Sequence, residues 1–212
     1  MASVVAFEEP GVRGFLHEPQ RAEGRGLVLT HGAGGNCNAP LLVAAASAFA
    51  DWGLCVLRCD LPFRQRRPTG PPSPSTAAAD RAGLKSAVAA MGELVPGRIF
   101  LGGQSYGGRQ ATMLAADEPA AAAGLLLFSY PLHPPGKPDR LRTEHFPRLR
   151  VPAVFVQGTA DPFGTITEVR SAISLIAAAT RLIPIDGAGH DLKRGRFDLA
   201  PVAAALLGDA AA

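Results

Sequence analysis

The sequence lacks the features that mark disulfide-rich, metal-binding and membrane proteins. Its 212 residues include only three cysteines, and these have neither metal-ligand spacing nor a CxxC pair. No uninterrupted apolar run approaches the roughly 18–20 residues that span a bilayer. The first ten residues also lack the basic segment with which a signal peptide begins. We therefore expect a cytoplasmic protein that binds no metal, needs no cofactor and has no membrane partner.

Charge is sparse and nearly balanced. Charged residues make up 18% of the chain and the net charge is only +3. No long stripe of lysine and arginine is present, so we expect no nucleic-acid partner. Apolar residues reach 47%, which suits one domain, residues 1–212, with a substantial core. A small ester-like molecule is the expected partner.

Short apolar runs alternate with longer alanine-rich segments along most of the chain. The runs predicted as strands are 27–30, 54–58, 98–101, 125–128, 153–156 and 181–185, and the predicted helices are 41–51, 76–93, 109–117, 167–178 and 199–207. Because most strand runs are apolar on both faces, the pattern predicts an α/β fold with a doubly wound, mostly parallel sheet between helices. Residues 3–7 and 12–17 predict an antiparallel start to this sheet.

Two proline-rich loops interrupt the alternation, at residues 61–75 and 131–150. Both follow strands, so we expect both at the carboxyl edge of the sheet, where ligands bind in such folds. Neither is long enough for a full lid domain, which predicts a minimal lid or none.

The strongest chemical motif is G-x-S-x-G, formed by residues 103–107 between a predicted strand and a predicted helix. A serine on such a sharp turn needs small flanking residues, and the helix that follows places its N-terminus beneath a developing oxyanion. This context predicts that Ser105 is the nucleophile of a hydrolase. The alternative is an incidental serine in a glycine-rich turn, since the chain has 24 glycines.

An HG-x-G loop, residues 31–34, ends an earlier predicted strand. Such a loop presents backbone N–H groups, and with the N–H of Tyr106 it would form the two-donor oxyanion hole of acyl transfer. We favour the N–H of Ala33, with Gly34 as the alternative and Gly32 and Gly34 beside the substrate. A phosphate-binding loop fits less well, because neither Gly-Lys-Ser/Thr nor a complete G-x-G-x-x-G follows.

A serine nucleophile needs a base and an orienting carboxylate, which follow it along the chain in this fold. Asp161 and His190 each come directly after a later predicted strand, so both should face the same edge as Ser105. Asp60 remains the reserve carboxylate. The other candidate carboxylates near this edge are Asp139, Asp186 and Asp191. The other histidines fit the role of the base less well than His190, and they are His17, His31, His133 and His145.

Four segments together resemble a known group: 29–35 (LTHGAGG), 58–68 (RCDLPFRQRRP), 102–108 (GGQSYGG) and 129–134 (SYPLHP). They are similar to the KANL3/Tex30-like branch of the α/β-hydrolases and, more distantly, to dienelactone-hydrolase-type enzymes. The resemblance covers about residues 27–190 and implies the α/β-hydrolase fold. Members of that branch are mostly uncharacterised predicted hydrolases, and some animal relatives act as complex subunits. Dienelactone hydrolases use a cysteine nucleophile, whereas this chain has Ser105.

The two proline-rich loops also suggest substrate contacts. Arg64, Arg66 and Arg67 follow a strand at the catalytic edge, and guanidinium groups there could bind an acidic substrate. Tyr130 and His133 are expected to line the same pocket. The alternatives are a solvated basic loop and simple packing of the second loop.

We therefore expect a carboxylesterase-like serine hydrolase that cleaves a small ester, thioester or amide through an acyl-enzyme. The rival is a non-catalytic interaction module that retains the fold. A cofactor-free perhydrolase would use the same three residues and cannot be separated from a hydrolase by sequence.

Overall fold

The computed structural model describes residues 2–208. In this range the strands are β1 (Ser3–Glu9), β2 (Val12–Glu18), β3 (Gly26–Thr30), β4 (Cys55–Cys59), β5 (Ile99–Gln104), β6 (Gly124–Phe128), β7 (Ala153–Gly158) and β8 (Thr180–Ile185). The α-helices are α1 (Pro40–Asp51), α2 (Pro62–Arg66), α3 (Ala77–Leu94), α4 (Tyr106–Asp117), α5 (Ile166–Ile173) and α6 (Ala200–Leu207). Short 3₁₀ turns connect several of them.

All eight described strands form one sheet in the order β1-β2-β4-β3-β5-β6-β7-β8. The pairs β1–β2 and β2–β4 are antiparallel, and every other pair is parallel. The predicted fold class and the predicted antiparallel start are thereby confirmed. The order reverses between β3 and β5, so the carboxyl ends of these strands border the crevice where ligands bind in open α/β sheets.

Helices cover both faces of the sheet because successive strand side chains point in opposite directions. Leu27 and Leu29 pack with α1 and α6 on one face. Val28 packs with α3, α4 and α5 on the other. The central strands are fully buried between these layers, which explains their continuous apolar runs.

Two segments differ most from the sequence prediction. Residues 62–66 form the short helix α2 inside what was predicted as a loop. Pro62 is compatible with a first helical turn, and the backbone N–H of Phe63 donates to the buried carboxylate of Asp80. Helix α5 ends at Ile173, earlier than predicted, because the chain tightens into i→i−3 turns before β8.

No separate lid is present in the described part of the chain: the proline-rich segments lie against the carboxyl edge of the sheet. None of the helices within residues 2–208 is both long enough and apolar enough to cross a membrane.

Candidate active site

Ser105 occupies the turn between β5 and α4 in a strained backbone conformation, with φ 51° and ψ −114°. A non-glycine residue rarely adopts a positive φ, and such strain persists only where neighbouring structure enforces it. The enforcing contacts are two backbone hydrogen bonds: the N–H of Ser105 donates to Phe128 O (2.9 Å), and the N–H of Arg109 donates to Ser105 O (2.9 Å). The turn is thus tied to both β6 and α4.

Glycines beside the serine let this turn approach the end of β3. A Cβ atom at Gly103 would lie 2.4 Å from Thr30 O, and one at Gly107 would lie 2.6 Å from His31 O. Real Cβ atoms do not come so close to backbone oxygen, so a side chain at either position would push the two segments apart. The nucleophile turn and the HG-x-G loop are therefore in direct contact.

One hydrogen-bonded chain joins the three residues expected to carry the chemistry. Nε2 of His190 lies 2.8 Å from Ser105 Oγ. Nδ1 of the same ring lies 2.8 Å from Asp161 Oδ2 and 3.0 Å from Oδ1. Because Nδ1 donates to the carboxylate, Nε2 is left as the acceptor of the serine hydroxyl.

Two residues not singled out from the sequence hold the acid and the base. Asp161 has a fully buried side chain whose carboxylate accepts hydrogen bonds from Gln157 Nε2 (3.0 Å) and from the backbone N–H of Phe163 (2.9 Å). The Phe163 ring stacks on the His190 imidazole, with 4.1 Å between centroids. Phe163 therefore fixes the plane of the imidazole while Gln157 fixes the carboxylate.

The HG-x-G loop is held by His31. Its Nε2 accepts from the backbone N–H of Leu61 (3.1 Å), so its Nδ1 carries the proton and donates to Gly32 O (2.8 Å). Burial lowers the pKa of His31 below its ordinary value, which keeps the ring neutral in this role. Asp60, the reserve carboxylate, lies beside His31 and Arg13 and not beside His190.

Ala33, Tyr106, Gly32 and Gly34 all line the cavity that contains Ser105. Within residues 2–208, neither the backbone N–H of Ala33 nor that of Tyr106 has an acceptor. Two such free donors beside a nucleophile can bind a developing negative charge. The Tyr106 ring is fixed in the wall by its hydroxyl, which donates to Asp80 Oδ2 (2.7 Å).

The cavity has a volume of about 820 Å³. Its wall is formed by the HG-x-G loop, the start of α4 and the two proline-rich segments, with Phe163 and His190 beside the serine. Its size suits a small organic molecule. Among the described residues, no group of three or more His, Cys, Asp or Glu side chains could hold a metal ion.

The expectation that the arginines of residues 61–75 contact the substrate needs correction. Arg64 is buried, and its guanidinium donates to backbone carbonyls, including those of Ala33 (3.0 Å) and Gly35 (2.8 Å). Arg66 and Arg67 are exposed and border a separate groove beside α2. None of the three arginines lines the cavity that contains Ser105.

The expectation for Tyr130 and His133 also needs correction, because neither lines the cavity. Tyr130 is 1% exposed and packs against Phe146 and Phe155. His133 is buried, with Nδ1 2.8 Å from Pro134 O. Ser129, the residue before Tyr130, has a positive φ at the end of β6, and the Tyr130 ring packs in the core, whereas His133 Nε2 lies 3.5 Å from Glu168 Oε2.

A mostly parallel sheet with serine at a strand-to-helix turn, followed in the chain by the acid and then the histidine, is the arrangement of the α/β hydrolases. A family model described as "Alpha/beta hydrolase domain" matches residues 23–200, and the chain belongs to that family.

Solved structures agree on the fold. An α/β serine hydrolase homologue from Coxiella burnetii has a TM-score of 0.70 at 18% identity, covering 91% of each chain. A dienelactone hydrolase from Anabaena variabilis has a TM-score of 0.69 at 21% identity, covering 97% of this chain and 93% of its own. A lidless α/β serine hydrolase from Xanthomonas campestris has a TM-score of 0.69 at 16% identity, covering 91% and 87%.

One similar protein is epoxide hydrolase A of Mycobacterium tuberculosis, which is 44% identical over 48 residues. That segment spans 23% of this chain and 15% of the relative.

Proposed function

We propose that this protein is a serine hydrolase that cleaves a small ester, thioester or amide through an acyl-enzyme, with a carboxylesterase-like reaction as the leading case. The observation that carries the proposal is the hydrogen-bonded chain from Ser105 Oγ through His190 to Asp161, which opens into the cavity. The segment SYPLHP supports placing it within the KANL3/Tex30-like branch.

In the proposed reaction Ser105 Oγ attacks the substrate carbonyl carbon while its proton moves to His190 Nε2. The carbonyl oxygen becomes an oxyanion held by the N–H groups of Ala33 and Tyr106. His190 then gives its proton to the leaving group as the tetrahedral intermediate collapses to the acyl-serine. Water attacks this acyl group with His190 as base, which releases the acid and restores the Ser105 hydroxyl.

The positions of the supporting residues favour this chemistry over a fold retained only for binding. Phe163 stacks on the imidazole and Gln157 donates to the carboxylate, so the ring and the acid are both held in orientation. Such orientation is needed for proton transfer. A binding surface would not require it.

The test is labelling with a fluorophosphonate probe, which reacts with activated serines. We expect the wild-type protein to be labelled and Ser105→Ala to remain unlabelled. Because Ser129 is buried, Ser129→Ala is a matched control that should still be labelled. Absence of labelling and of ester hydrolysis in folded wild-type protein would refute the proposal and favour a non-catalytic interaction module.

A further inference from the structure

Two guanidinium groups face the cavity beyond Ser105. Arg109 lies on α4 one turn after the serine, and Arg142 lies in the second proline-rich segment. Both are half-buried and both line the same cavity as Ser105. Four residues of helix place Arg109 about 6 Å along the axis from the nucleophile, so a substrate a few bonds long could reach from one to the other.

Neither arginine is neutralised by the protein. Among the described residues, neither Arg109 nor Arg142 forms an ion pair with a carboxylate, because the carboxylates that form ion pairs do so with other cationic side chains. Burial lowers the pKa of Arg142, and repulsion from the nearby charge of Arg109 lowers it further. Tyr130 and Glu144 oppose this effect on the pKa of Arg142, and Glu144 is exposed.

The same wall also contains buried donors that lack acceptors. Arg109 Nε is buried without a partner in the described residues, and so is Gln110 Nε2. Gln110 is 0% exposed and lines the cavity, and its Oε1 accepts from Arg81 (3.2 Å), which fixes its amide with the NH₂ group free. A buried unpaired donor is costly, so such groups in native structures usually have a specific partner.

Arg142 is held in place before any ligand arrives. Its backbone N–H donates to Leu132 O (2.8 Å), its carbonyl accepts from the Tyr130 hydroxyl (2.8 Å), and its Nη1 donates to Pro131 O (3.2 Å). These bonds leave the other guanidinium nitrogens available. A preorganised side chain loses little entropy on binding, which favours recognition of a charged group.

We propose that the substrate carries a carboxylate, which Arg109, Arg142 and the Gln110 amide bind while Ser105 attacks an ester carbonyl a few bonds away. The planar guanidinium group matches the geometry of a carboxylate. The N–H groups of these three side chains that lack an acceptor in the protein supply the hydrogen bonds. Much of the rest of the wall, including Pro72 and Met113, is apolar and would contact the carbon chain. This inference rests on the proposed hydrolase function but assigns a distinct group of residues.

The kinetic test compares substrates that differ only in the acid group. Mono-p-nitrophenyl esters of glutaric and adipic acid are measured against neutral p-nitrophenyl pentanoate and hexanoate, with Ser105→Ala subtracting spontaneous hydrolysis. We expect wild-type kcat/KM to favour the half-esters at least tenfold. We expect Arg109→Gln and Arg142→Gln each to lower this preference about tenfold, which is about 1.4 kcal/mol. Arg109→Lys and Arg142→Lys should lower it less.

Two control variants sharpen the kinetic test. Arg140→Gln removes the same charge from the same segment at an exposed position outside the cavity, so the preference should not change. Arg66→Gln removes an exposed charge from the other proline-rich segment, and it too should leave the preference for half-esters unchanged. A neutral-ester preference in the wild type, or an equal effect of either control, would overturn the proposal.

A binding test separates this proposal from the proposed hydrolase function. Glutarate and inorganic phosphate are titrated by calorimetry into Ser105→Ala protein, with and without Arg142→Gln. Glutarate binding that Arg142→Gln abolishes supports the carboxylate site even if no ester is cleaved. Tighter binding of phosphate would overturn the carboxylate assignment, and no binding of either anion would overturn the site.

Discussion

Replacing Arg64 with methionine tests whether this buried arginine positions the loop that carries the proposed oxyanion donor. Its guanidinium donates to four backbone carbonyls, those of Gly35 (2.8 Å), Ala33 (3.0 Å), Gly70 (3.0 Å) and Arg67 (3.2 Å). Methionine retains most of the apolar volume but supplies no donor. The variant therefore removes the hydrogen bonds with little change in packing.

The magnitude follows from where these carbonyls lie. Gly70 and Arg67 are exposed, so water can replace the lost donor there. Ala33 and Gly35 are partly buried, and an unsatisfied buried carbonyl costs about 1–3 kcal/mol. We expect a loss of about 2–4 kcal/mol in unfolding free energy. A displacement of the Ala33 amide by about 1 Å should also lower kcat by roughly 10–100-fold, with a smaller change in KM.

The assay is the kcat and KM of a neutral ester, together with the rate of fluorophosphonate labelling, well below the unfolding temperature of each variant. Arg66→Met is the matched control, because Arg66 lies on the same short helix but is exposed. We expect it to behave as the wild type. If Arg64→Met lowers the unfolding temperature but retains wild-type kcat, the loop does not depend on Arg64 and the reasoning is refuted.

Three further outcomes are expected. Gly107→Val should lower kcat at least 100-fold, because its side chain would press on the end of β3; an unchanged labelling rate would contradict this. Asp161→Asn should lower kcat about 10⁴-fold at neutral pH, because the amide no longer fixes the tautomer of His190. A pH–rate profile in which the variant is as active as the wild type would refute the role assigned to Asp161. Burial is the largest cause that lowers the pKa of both His17 and His145 to about 4. As the pH is lowered, both histidines bind a proton in the unfolded chain before they do so in the folded protein. The unfolding free energy should therefore fall as the pH is lowered from about 6.5 to about 4, by roughly 2–3 kcal/mol for each histidine. Denaturant titrations across this range measure the slope, which His17→Gln should reduce.

The parts that sequence reasoning predicted are those that local patterns determine. Strand runs apolar on both faces identify a buried parallel sheet, and small residues flanking Ser105 identify a strand-to-helix turn. Once the order of parallel strands is known, Asp161 and His190 must face the edge that Ser105 faces. The sheet brings the His190 ring within 3.0 Å of the Asp161 carboxylate, 29 positions earlier, and of the Ser105 hydroxyl, 85 positions earlier.

The residues that sequence reasoning misassigned or missed depend on contacts without a local pattern. Arg64 holds backbone carbonyls about 30 positions earlier, and a carbonyl acceptor leaves no mark on the sequence. Arg142 reaches the cavity through the path of an irregular loop, which periodicity cannot describe. Arg109 is the exception: four residues after Ser105 on a predicted helix, it lies on the same side as the nucleophile and could have been found.

The five arginines considered near the catalytic edge divide by their partners, and this division explains why position after a strand alone misassigned Arg64, Arg66 and Arg67. Arg64 has all its strong contacts with backbone carbonyls, so its charge stabilises a loop and is not available to a ligand. Arg66 and Arg67 face solvent, where a charge is screened and contributes little to recognition. Arg109 and Arg142 alone among the five combine partial burial, a place in the cavity wall and the absence of a carboxylate within the described residues. A half-buried cation without a counterion is unfavourable in the empty site, and an anionic substrate removes that cost on binding. Selectivity for acids therefore depends on what the protein leaves unpaired.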